Sequence, residues 1–123
     1  VPDFRWVHIA SLDELEQFYA SIIPTIRTAA RDHGYAIGLH GSMRRDLDLI
    51  AAPWTEEAPA DPNVIARAVH LAACGLEQTA YRWSHKPCGR LATSMPICWI
   101  DFEYDRSSLL SMGHVDLSVM PRT

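Results

Sequence analysis

The chain has 123 residues, near the ~100–150-residue mode of single domains, and residues 1–123 are expected to form one domain. With 48% hydrophobic and 21% charged residues, it has the make-up of an ordinary globular protein rather than a disordered or coiled-coil one. A net charge of -4 argues against a general nucleic-acid coat or a membrane-surface protein, and no apolar run approaches the ~18–20 residues of a membrane span.

The opening Val1-Pro2-Asp3-Phe4-Arg5 lacks the basic-then-apolar order of a secretory signal, so a cytoplasmic setting is expected. Ser11-Leu12-Asp13-Glu14 then forms a capping box, with Ser11 as N-cap and Glu14 three residues on. Leu12, Leu15, Phe18, Tyr19, Ile22, Ile23, Ile26, Ala29 and Ala30 follow at helical spacing, and Gly34 suits the C-terminal stop. Pro24 lies inside this stretch and removes one backbone donor, so a kink or a split is expected there.

Tyr35-Ala36-Ile37-Gly38-Leu39-His40 is a short strand pattern ending at Gly41-Ser42. A second strand starts at Asp46 and runs to Trp54, alternating acid and aliphatic at first. Thr55 to Pro62 is rich in acids and prolines and is expected to be an exposed loop. Asp61-Pro62 opens a second helix whose apolar face is Val64, Ile65, Ala68, Val69 and Ala72, with Gly75 as its stop. Three further strands are expected: Gln78 to Trp83, Arg90 to Ile100 with an interruption at Pro96, and Gly113 to Met120. Ser84-His85-Lys86-Pro87-Cys88-Gly89 suits a hairpin connection. The order α-β-β-α-β-β-β points to an α+β fold, a mixed or antiparallel sheet of about five strands with two helices packed on one face.

Cys74, Cys88 and Cys98 are odd in number and lack CxxC spacing, so reduced and mostly buried thiols are expected. Trp54, Trp83 and Trp99 are expected in core or rim packing. Ser42 has no GxSxG context, which argues against a serine nucleophile.

The segment Gly41-Ser42-Met43-Arg44-Arg45-Asp46-Leu47-Asp48-Leu49 concentrates the chemistry. On an extended strand, residues two apart share a face, so Asp46 and Asp48 project together while Leu47 and Leu49 enter the core. Two adjacent carboxylates repel each other unless a cation or a proton intervenes, and hard divalent ions favour such oxygen donors. Gly41 and Ser42 could offer backbone N–H groups and a hydroxyl to a phosphate, and Arg44 and Arg45 could add charge-assisted hydrogen bonds. The plainer alternative is that Asp46 and Asp48 form the solvent face of a half-buried strand. His40, His85 and His114 could converge near Asp46, and the loop carrying Lys86 and Arg90 could reach the same pocket.

This segment resembles the signature of the nucleotidyltransferase superfamily, the polymerase-beta-like fold. In that family a Gly-Ser turn follows one strand, an Asp-x-Asp pair on the next binds two metals, and a third acid comes from a later strand. The resemblance implies that Gly41 and Ser42 are the turn, Asp46 and Asp48 the metal pair, and Asp116 the third acid, with Asp101 as its substitute. It implies Mg²⁺ or Mn²⁺ as cofactor and a nucleotide or phosphate-bearing ligand. The spacer here is only Met43-Arg44-Arg45, where the family usually places a helical segment. The stretches from His40 to Trp54 and from Val115 to Pro121 also resemble small phage or prophage proteins. Two functions are therefore expected as alternatives: metal-dependent nucleotidyl transfer, or a catalytically inactive phage-encoded module that sequesters a ligand or blocks a host protein.

Overall fold

The computed structural model describes residues 6–102 and 108–122, with the backbone alone for residues 6, 101, 102, 108 and 109. The elements run β1 (Trp6–His8), α1 (Leu12–Asp32), β2 (Tyr35–His40), β3 (Asp46–Pro53), α2 (Pro62–Cys74), β4 (Ser84–His85), β5 (Leu91–Phe102) and β6 (Ser108–Val119). They build an α+β fold, a mixed six-stranded sheet with two helices on one face. The strand order is β2-β3-β6-β5-β4. β3 is parallel to β6, and β1 pairs in parallel with the start of β6, through residues 109–111. The other pairs are antiparallel.

The local chemistry of the helices follows the sequence closely. Ser11 and Glu14 close a reciprocal capping box on α1. Asp61 caps α2 through the Asn63 amide, and Gly75 ends it in the left-handed conformation with φ 75. The core is formed by alternate strand residues, Leu47 and Leu49 on β3, Met95 and Ile97 on β5, and Val115 and Leu117 on β6, packed against Tyr19, Ile26, Ile65 and Val69 of the helices. Each side chain of that size, fully buried, contributes roughly 1.5–3 kcal/mol.

Five expectations require correction. Helix α1 runs unbroken through Pro24. Pro24 sits on the exposed side of the helix, as does Ala20, whose carbonyl loses its helical donor there. Pro96 does not interrupt β5 either. Its carbonyl bonds to His70 Nε2 of α2 at 2.8 Å, so its backbone groups face away from β6 and no ladder bond is lost there. Residues 78–83 are irregular rather than a strand, because Asn63 Oδ1 accepts from both Tyr81 N–H and Trp83 Nε1–H and holds the segment against α2. Trp54 is 79% exposed, whereas Trp99 stacks on Phe18 with ring centroids 3.9 Å apart. The cysteines are all free, but Cys88 is exposed and the other two only half-buried. Among the described residues no helix is long and apolar enough to cross a membrane.

Candidate functional site

With both helices on one face, the opposite face of the sheet is open, and polar side chains alternate with the core residues along it. Register aligns them across the strands. His40 of β2 pairs with Asp48 of β3, Asp48 with Asp116 of β6, and Asp116 with Ser94 of β5. These four residues form one transverse row over four strands, at the ~4.8 Å inter-strand spacing. They line an open cleft of about 560 Å³, and Arg82, Ser84 and Lys86 supply its other wall.

The two acids are thus direct neighbours. Burial pushes the Asp48 carboxyl above its usual range, and the Asp116 and Asp46 carboxylates push it further, while the His40 imidazole pulls it down. A hydrogen bond between Asp48 and Asp116 also favours the protonated form. Gly41 makes room for this carboxylate. A Cβ on Gly41 would stand 2.7 Å from Asp48 Oδ2, and its φ of +76 already favours glycine.

Asp46 shares the face of Asp48 but stands two residues away, opposite His114 and outside the cleft lining. Its strand begins under a backbone clasp. The Tyr19 hydroxyl donates to Arg45 O at 2.6 Å and accepts from His114 N–H at 3.2 Å, tying the entry of β3 to β6. Burial, together with the three Asp carboxylates, raises the pKa of Tyr19 and keeps it a donor. Gly113 permits this contact, since a Cβ there would lie 2.5 Å from the Tyr19 oxygen.

The arginines expected to face a phosphate do not line the cleft. Arg44 reaches Asp13 and Glu16 of α1, each at 3.5 Å, and Arg45 lies beside His8 and Met112 at a separate depression. The acids of α1 are about thirty positions away in sequence, so the adjacency of Arg44 to Asp46 was a poor guide to its partner. Ser42 is exposed and accepts a long 3.4 Å bond from Arg44 N–H, outside the lining of the cleft.

The cations that do line it are Lys86, whose loop the sequence brought forward, and Arg82, which it did not. A signal for Arg82 existed. It stands between Tyr81 and Trp83, and two anchored aromatics turn the residue between them outward. Arg90 donates to Ser118 Oγ at 2.8 Å, at the edge of the same cleft. The side chain of Asp101 lies outside the described residues. Its backbone stands seven positions along β5 from Ser94, the partner of Asp116, about 23 Å at 3.3 Å per residue, so it cannot substitute for Asp116.

Among the described residues no three His, Cys, Asp or Glu side chains converge as a ready-made metal cage. The available donor set is the Asp48–Asp116 pair, two carboxylates backed by the charge of Asp46. Oxygen donors in that number suit a hard divalent ion that takes its remaining ligands from water and phosphate. Comparison with protein-family models, with curated proteins and with solved structures finds no match to this chain.

Proposed function

We propose that the cleft binds a nucleotide, or another phosphate-bearing small molecule, together with Mg²⁺ or Mn²⁺ on Asp48 and Asp116, in a small nucleotidyltransferase-like protein. The observation that carries this reading is the acid pair on one wall of an open cleft with Arg82 and Lys86 on the other. Carboxylates alone would repel a phosphate, and cations alone would not need paired acids. A metal-bridged phosphate satisfies both walls. Burial is the main cause of the elevated Asp48 pKa, and the Asp116 and Asp46 carboxylates add a repulsion that a divalent ion would relieve.

A bound ion supplies charge neutralisation at the phosphate oxygens. The chain's own residues do the rest of the binding. Arg82 and Lys86 donate charge-assisted hydrogen bonds to phosphate oxygens, and Ser84 adds a hydroxyl donor. In nucleotidyl transfer, an acceptor hydroxyl oxygen would bond to the α-phosphorus as the bond to pyrophosphate breaks, and His40, which lines the cleft, would take the acceptor's proton. Binding without turnover is the second reading. The short turn from Gly41 to Arg45 and the diversion of Arg44 to α1 favour it.

Thermal melts test the proposal. With ~5 mM Mn²⁺ alone a small shift is expected, because such sites draw many of their ligands from phosphate. With Mn²⁺ and ATP together, stabilisation should approach about 2.7 kcal/mol at a hundredfold excess over Kd, and Asp116→Asn should remove it. No shift with metal and nucleotide together would refute the site. Release of pyrophosphate then separates transfer from binding alone.

A further inference from the structure

β2 is an edge strand of the sheet and is bare along its outer side among the described residues. Gly34 O accepts from Trp54 N–H at 2.8 Å, which fixes the hydrogen-bonding phase of the β2–β3 ladder. With the register Tyr35↔Pro53 through His40↔Asp48, the bonded pairs are Ala36↔Ala52, Gly38↔Ile50 and His40↔Asp48. Pro53, which has no N–H, falls at a non-bonded pair, as this phase requires. The N–H and C=O groups of Tyr35, Ile37 and Leu39 therefore point away from β3, and no described strand pairs with them. β2 carries no lysine, proline or bulge, the devices that usually protect an edge.

A groove of about 320 Å³ runs along this edge, lined by Arg27 and Arg31 of α1, by Tyr35, Ala36 and Ile37, and by Trp54. Successive residues of one strand line it, so it follows the backbone rather than one face. Arg27 and Arg31, one turn apart, are exposed and make no ion pair among the described residues. In a chain of net charge -4, two free guanidiniums beside an unpaired strand edge form a local positive rail.

We infer that this edge takes up an extended acidic peptide as an additional strand, separate from the Asp48–Asp116 cleft. Its backbone would pair with Tyr35, Ile37 and Leu39. Its acids would fall at every second position, since only alternate side chains face α1. Trp54 offers an apolar contact at one end. A second copy fits poorly, because two-fold pairing of β2 with itself would set four guanidiniums on one face of the joined sheet.

The test is fluorescence anisotropy with a labelled peptide of about six residues, the length of β2, alternating Glu and Val. Binding is expected for this peptide. It should be absent for the Lys–Val counterpart and for a Glu–Val peptide N-methylated at the pairing amides. Arg27→Glu with Arg31→Glu changes only exposed helix positions and should weaken binding at least about tenfold. Ile37→Pro removes a donor on the free edge alone and should do the same, with circular dichroism checking both folds. The inference is overturned if the Glu–Val peptide fails to bind up to about 1 mM. Equal binding of the N-methylated peptide, or a free protein that light scattering shows to be dimeric through this edge, would also overturn it.

Discussion

Gly41 and Gly75 share a backbone conformation, φ +76 and +75, but not their surroundings. An added Cβ meets nothing within 4 Å at Gly75, and meets Asp48 Oδ2 at 2.7 Å at Gly41. Gly75→Ala therefore reports the left-handed penalty, about 1 kcal/mol once the stiffer unfolded chain is counted. Gly41→Ala carries the same penalty and also turns the Asp48 carboxylate out of its rotamer, about 0.5–1.5 kcal/mol more. The expected total is about 2 kcal/mol, and urea melts of both variants measure the difference. In an Asp48→Ala background the excess should disappear, leaving Gly41→Ala as costly as Gly75→Ala. The displaced carboxylate should also reduce the stabilisation by Mn²⁺ with ATP, while Gly75→Ala leaves it intact. Equal costs for the two alanines in the parent protein would refute the close packing of Gly41 on Asp48, and with it the rigid placing of that acid.

The pH dependence follows from the same carboxyl. Asp48 has its folded pKa raised above the usual 3.8, so its contribution is favourable below that value and is lost as pH rises through the folded pKa. Asp48→Asn should therefore stabilise the metal-free protein at neutral pH, with the gain shrinking as pH falls through the raised folded pKa and gone below about pH 4. A gain that grew on acidification would contradict the repulsion between Asp48 and Asp116. At the clasp, Tyr19→Phe should cost about 1–3 kcal/mol by leaving Arg45 O and His114 N–H without their partner. Gly113→Ala should cost a similar ~1–3 kcal/mol by overpacking against the same hydroxyl. The double variant should cost less than the sum, and strict additivity in urea melts would argue against the contact.

Local chemistry made much of this fold legible. The capping box at Ser11, the Asp61-Pro62 start and the alternation from Asp46 to Leu49 each depend on residues a few positions apart, and each lies where those patterns place it. What failed was set by distant partners. Arg44 lies two positions from Asp46 in sequence, yet Asp13 and Glu16 hold it. Tyr81 and Trp83 have strand-like character, yet one side-chain oxygen on Asn63 draws both to α2. Pro96 would break a central strand, but β4 pairs with β5 only at residues 91–92, so β5 is an edge at Pro96, and edge status is a property of the sheet rather than of the segment. The juxtaposition of Asp48 with Asp116 also needed the register of two strands that pairs residues more than sixty positions apart.

The opposite margin of the sheet has consequences of its own. There β5 is flanked by only the two-residue β4, Pro96 withholds a donor, and His70 occupies the carbonyl beside it. One side of the molecule can accept a strand and the other is obstructed. Edge-to-edge polymerisation needs both sides competent, so that each added unit exposes a new acceptor. This architecture lacks that continuity. Copies of this chain are thereby discouraged from joining in series through β2 and this interrupted margin.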